Sequence, residues 1–171
     1  MQPEPHEIDR LFSEVSPGGP EKAVGFIMWR VSRQYLRSID RALAPLGLTH
    51  LKFHTLTLIA WLAKTEQAIT QARLSEFSDI QPMQTSLIVR ALEEAGLITR
   101  VRATTDTRTK LVELTADGWQ TLKEALPIAV KQQTAFFGDV ADPDGDLLRL
   151  LTKLDTHAAQ DEPDPKPRRH T

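Results

Sequence analysis

The apolar spacing of this chain predicts a mainly α fold carrying one small β-hairpin, on three observations. Apolar residues recur at steps of three and four over most of the length, the period of a helix face. Alternation at every second position is confined to two neighbouring stretches, "LITRVRA" and "KLVELT". Most prolines and glycines stand between these runs. At 171 residues, 40% hydrophobic and 26% charged, the chain can bury one core, or a core and a dimer seam. With no cysteine, disulfides, zinc–thiolate sites and cysteine redox sensing are excluded. Glu4, Glu7, Asp9 and Glu14 leave the first twenty residues without an apolar stretch, so no secretory leader is expected. No window reaches the roughly 18 apolar residues of a membrane span, and a cytoplasmic protein follows as the expectation.

Each element has its own signal. The breaker cluster "SPGGP" separates a preamble, residues 1–20, expected to be disordered or loosely held, from an amphipathic run. In that run Val24, Ile27, Met28, Val31, Tyr35, Ile39 and Leu43 form one helical stripe, ended by Pro45 and Gly47. Thr49 is a plausible cap for "HLKFHTLTLIAWLA", whose apolar residues cover more than one side and predict burial. Thr70 caps the short "QARLSEFS", with Leu74 and Phe77 expected to point inward. Pro82 suits the first turn of "PMQTSLIVRALEEA", and Gly96 suits its left-handed cap. Thr115 caps a last long helix with Trp119, Leu122, Leu126, Val130 and Phe137 as its stripe, which Pro127 is expected to kink or interrupt. "LLRLLTKL" gives one more helix, and residues 159–171 are too polar and proline-rich to fold.

Two short helices joined by a tight turn, then strand, loop and strand, make a helix-turn-helix with a wing. Charge supports a nucleic-acid partner despite a net −2: residues 22–110 hold 13 Lys and Arg against 7 Asp and Glu, and the acidic excess sits at the two ends. The order of helices, the phrase "LEEAGLITR", and the spacing Arg102, Asp106, Arg108 followed by Leu114, Thr115 and Gly118 resemble the MarR family of bacterial transcriptional regulators. The resemblance spans about residues 22–158. It implies a winged helix-turn-helix lobe, about 49–116, within a MarR-like domain at 21–158 whose N- and C-terminal dimerisation helices, about 21–46 and 117–158, interlock two copies. It further implies a palindromic operator and a small ligand, held between those helices and the lobe, that releases the DNA.

The residues suggest how such a lobe meets DNA. Thr85, Ile88, Val89 and Leu92 fall on one face of the second helix and should pack inward, leaving Gln84, Ser86, Leu87 and Arg90 for the major groove. Leu87 stands where many family members carry an arginine, and from sequence it faces either DNA or core. A hairpin tip is thin enough for the minor groove, where a guanidinium meets concentrated negative potential. Arg108 is the candidate there, with Arg100, Arg102 and Lys110 around it, while Asp106 turns back to brace the loop against Arg100 or Arg102.

An effector is harder to read. Trp29 and Arg33 lie one turn apart on the first long helix, and His50, His54 and Trp61 lie on the second. Such a set around a cleft suits a small aromatic acid or phenol, against the plainer expectation of core or dimer packing. His50 and His54 also have metal-clamp spacing, but with no near third ligand no metal or cofactor is expected. The sequence therefore points to a DNA-binding transcriptional regulator, a ligand-responsive repressor acting as a homodimer at the nucleoid. The alternatives are a winged-helix protein-interaction module without DNA binding, or a metal-responsive regulator using His50 and His54. No phosphate loop, paired-carboxylate motif or nucleophile motif occurs, so no enzyme is expected.

Overall fold

The computed structural model describes residues 3–15, 18–66, 68–102 and 110–161, of which 102, 110 and 157–161 by backbone alone. The chain divides into two compact units, Met1–Gln132 and Gln133–Thr171.

The first unit begins with a helix, α1 (Pro5–Val15), within the preamble expected to be disordered or loosely held. No residue of α1 is buried, and Ile8, Leu11, Phe12 and Val15 gather on one open face. The next helix, α2 (Val24–Leu43), follows the expected stripe with graded burial: Ile39 and Leu43 are 1% and 0% exposed, while Val24 is 78% exposed. Its C-terminal half lies on α3 (His50–Leu62), which Thr49 caps by accepting from the Lys52 N–H at 3.3 Å. Gly47, at φ 68°, makes the turn between them. Phe53, Leu56, Ile59 and Leu62 of α3 are buried among α2, α4 and α5, so this helix is the centre of the core.

The helix-turn-helix is α4 (Gln71–Ser78) and α5 (Pro82–Glu94). Its turn depends on a left-handed Asp79, φ 54°, and on two buried hydroxyls that donate to the same carbonyl, Ser75 Oγ at 2.5 Å and Thr85 Oγ1 at 3.3 Å from Ile80 O. Satisfying that carbonyl keeps a buried polar atom from going unpaired. At the other end of α5, Gly96 takes φ 72° and the Leu97 N–H donates to Leu92 O at 3.0 Å, a helix stop that only glycine enters without strain.

The hairpin pairs β1 (Ile98–Arg102) with β2 (Lys110–Leu114) in antiparallel register, Ile98 opposite Leu114 and Arg102 opposite Lys110. A third edge comes from Thr70, bridged to Leu111, with the Val112 N–H donating to Ile69 O at 2.8 Å. Thr115 then caps α6 (Ala116–Phe137), accepting from the Gly118 N–H at 2.9 Å while its own hydroxyl donates to Gly96 O at 2.7 Å. A Cβ on Gly118 would stand 1.8 Å from Leu97 O, so the backbone of α6 approaches β1 too closely for any side chain. Leu122, Ala125 and Ala129 form the buried face of α6, whereas Trp119, Leu126 and Val130 of the expected stripe are exposed. Pro127 does not interrupt α6; proline removes one hydrogen bond of the ladder, and the turns on either side continue.

In the second unit the end of α6 is followed by a short turn, Gly138–Ala141, and by α7 (Asp146–Asp161), which continues past the expected "LLRLLTKL". Leu148, Leu150, Leu151 and Leu154 are exposed. The rest of the polar tail, residues 162–171, lies outside the described residues.

Candidate nucleic-acid interface

Helix α5 sorts its residues as its periodicity requires. Thr85, Ile88, Val89 and Leu92 are 2%, 7%, 0% and 0% exposed, so Gln84, Ser86, Leu87 and Arg90 share the outer face. Leu87, open from sequence to either orientation, faces out at 64% exposure. Met83, which the sequence did not single out, is more exposed still and extends the apolar part of this face. Arg90 Nε donates to Glu94 Oε1 at 2.8 Å in an exposed i,i+4 pair, which holds it weakly and leaves it able to turn to a phosphate.

Arg100 behaves differently from its expected place at the DNA or against Asp106. Residues 98, 100 and 102 share one face of β1, and Ile98 is buried where β1 packs on α5. That register carries Arg100 to the end of α5, where its Nε donates to Glu93 Oε2 at 2.8 Å and a second guanidinium N–H joins the same carboxylate. The Glu93 hydrogen bonds raise its pKa further against a smaller effect of burial, so Arg100 is a charged brace between wing and recognition helix. Arg102 and Lys110 form the last backbone pair before the tip, and Asp106 and Arg108 lie outside the described residues.

The supporting helix α4 is held by Arg73, whose Nε and Nη2 fork onto Glu66 at 3.0 and 2.9 Å, with Glu76 at 3.3 Å. Phe77, expected inward, is 47% exposed and lies under that guanidinium at 5.3 Å. An eight-residue helix has one inward side, and Leu74 and Ser75 occupy it.

The effector candidates separate into two groups. His50, His54 and Trp61, at i, i+4 and i+11, line one stripe of α3. There His50 Nδ1 is 2.9 Å from Asp40 Oδ1, and Lys64 stands 3.8 Å above the Trp61 ring. His54 packs at 5.3 Å beside Phe53, and desolvation first and the charge of His50 second lower its pKa. Trp29 and Arg33 lie instead on the outward side of α2, Trp29 at 5.8 Å from Phe26. A cavity of about 260 Å³ between the end of α3 and β2, walled by Ile59, Ala63, Glu66, Ile69 and residues 111–114, takes in none of the five. Among the described residues no three His, Asp or Glu converge as metal ligands.

Comparison with known proteins decides the family. Residues 48–110 match the MarR family model. An HTH-type transcriptional regulator of Bacillus subtilis (strain 168), YdcH, is 36% identical over 119 residues, 70% of this chain and 81% of that protein. The chain belongs to the MarR family. It is accordingly a DNA-binding transcriptional regulator of the winged helix-turn-helix type. Among solved structures, CouR from Rhodococcus jostii RHA1 bound to p-coumaroyl-CoA superposes with a TM-score of 0.72 at 23% identity, over 86% of this chain and 99% of that one. The M. tuberculosis regulator MosR in complex with DNA gives 0.66 at 26% identity, over 81% of this chain and 97% of that one. No helix among the described residues of this MarR-family chain is long and apolar enough to cross a membrane.

Proposed function

We propose that the chain is a ligand-responsive repressor, not an enzyme, that binds a palindromic operator as a homodimer in the cytoplasm. The observation that carries it is the outer face of α5, which shows Gln84, Ser86, Leu87 and Arg90 to solvent with no core beneath them to explain their presence. Gln84 can pair with adenine, Ser86 with a base edge or phosphate, and Leu87 with a thymine methyl. Arg102, Arg108 and Lys110 supply the wing, with Arg108 entering the minor groove and Asp106 shaping the loop.

Dimerisation is supported by apolar surface that each unit leaves open: Ile8, Leu11, Val24 and Met28 in the first, Leu148, Leu150, Leu151 and Leu154 in the second. So much exposed aliphatic surface on helices marks an interface. The effector is a small aromatic acid or phenol, for which the phenolic p-coumaroyl group that CouR binds as its CoA ester is the supporting precedent. Salt titration of operator binding tests the reading. A dimer neutralising several phosphates loses affinity steeply as salt rises, and a protein-interaction module has no DNA affinity to lose.

A further inference from the structure

Nine arginines have described side chains, and they divide sharply. Arg10, Arg73, Arg90, Arg100 and Arg149 each form an ion pair with a carboxylate. Arg30, Arg33, Arg37 and Arg41, all on α2 and all exposed, form none among the described residues. At 3.6 residues per turn these four, with Phe26 and Trp29, fall within an arc of about 120° centred opposite Tyr35 and Ile39. The nearest acid in sequence, Asp40, is held by His50. Like charges at i,i+4 repel along a helix, so an unrelieved ladder is a feature to explain.

The core does not explain it. The apolar stripe that α2 gives the core, and leaves open at Val24 and Met28, is on the other side of the helix. Operator DNA fits it less well. Helix α2 packs on α3, and α3 on α4 and α5, which puts α3 between the ladder and the reading face. Duplex bases are stacked inside and have no use for exposed rings, whereas Trp29 is 59% and Phe26 39% exposed beside the arginines, 5.8 Å apart. Arg33, Arg37 and Arg41 rise about 6 Å per step, wider than the spacing of the phosphates in a diphosphate, and their long stems let neighbouring guanidiniums converge on one phosphate group.

We propose that the outer face of α2 binds a phosphate-bearing ligand with a planar ring, a nucleotide or nucleotide ester, its phosphates on Arg33, Arg37 and Arg41 and its ring beside Trp29 and Phe26. This deepens the reading of a ligand-responsive regulator and rests on it only in that a small ligand binds. It is therefore tested without DNA. The full chain is titrated with ADP and with inorganic pyrophosphate by calorimetry, with thermal melts to confirm folding. ADP is expected to bind more tightly than pyrophosphate, and Arg37→Gln and Arg41→Gln each to raise its Kd about tenfold, the loss of one charge-assisted bond. Arg10→Gln, which removes an arginine already paired on α1, should leave it unchanged. Trp29→Ala should weaken ADP and spare pyrophosphate. Absence of saturable ADP binding, equal binding of ADP and pyrophosphate, or equal effects of Arg10→Gln and Arg37→Gln would overturn the proposal. So would an Arg37→Gln protein that loses operator affinity while ADP binding is intact, since the ladder would then be a DNA contact. Failure of operator binding in the parent protein, with ADP binding intact, refutes the repressor reading and leaves this one standing.

Discussion

Asp40 Oδ1 accepts two hydrogen bonds from one residue, the backbone N–H of His50 at 2.7 Å and its Nδ1–H at 2.9 Å. The pair ties the last turn of α2 to the first residue of α3. Burial raises the Asp40 carboxyl, and the two bonds and the charge of His50 outweigh it and lower the pKa overall. The folded state thus binds this proton less readily than the unfolded state, so the stability is present above the unfolded value near 4 and lost as pH falls. His54 is also lowered, so the unfolded chain is protonated first, near 6.5, and acid favours unfolding from there downward. The melting temperature should decline in two stages, below about pH 6.5 and again below about pH 4. His54→Gln should flatten the first, and Asp40→Ala the second while costing about 1 kcal/mol at neutral pH. A His54→Gln protein with the parent's decline between pH 7 and 5 refutes the assignment.

Gly118→Ala should destabilise the chain by about 3 kcal/mol or more, because the new methyl meets a backbone carbonyl rather than a movable side chain. Thr115→Val, which keeps shape and removes both hydroxyl bonds, should cost about 1–2 kcal/mol. Denaturant melts compare the two, and a Gly118→Ala protein as stable as its parent would show that α6 can slide away from Leu97.

Much of this architecture was legible because its signals are local. The stop at Gly96, the caps at Thr49, Thr70 and Thr115, and the inward face of α5 each follow from a few neighbouring residues. What the sequence did not show needed tertiary context. Helix α1 buries none of its residues, so the acidic preamble expected to be disordered or loosely held carried no core stripe to mark it as a helix. Arg100 read as a DNA contact because charge pattern cannot show that β1 aims position 100 at Glu93. The Asp40–His50 bond spans ten residues across a proline–glycine turn, a separation no periodicity marks. The i,i+4 arginines of α2 were visible in the sequence, but their lack of partners was not.

Gln84→Ala should weaken binding to the preferred operator by about 1–3 kcal/mol and to random DNA much less, since a bidentate base contact carries sequence information. Fluorescence anisotropy on both duplexes measures it. Equal losses would mean that Gln84 touches only the backbone.

Met28→Glu combined with Leu151→Glu places a charge on an open apolar stripe of each unit. If those stripes form the seam, sedimentation at micromolar concentration should give a dimer for the parent and dissociated chains for the variant. A compact monomeric parent rejects the dimer.

The wing offers the most discriminating test, because one of its two substitutions opposes simple electrostatics. Arg100 is paired with Glu93, and Arg108, within "TTDTRTK", is the minor-groove candidate. Arg108→Ala should weaken operator binding strongly and leave the melting temperature nearly unchanged, as expected of a residue away from the core. Asp106→Ala removes a negative charge, which by long-range attraction alone should tighten binding. If Asp106 holds the loop in shape through a charge-assisted bond, the substitution weakens binding instead, because Arg108 loses its approach to the groove. The two outcomes differ in sign and are read from one titration at physiological salt. Tighter binding by Asp106→Ala means the acid was only a repulsive surface charge, and unchanged binding by Arg108→Ala removes the wing from the interface.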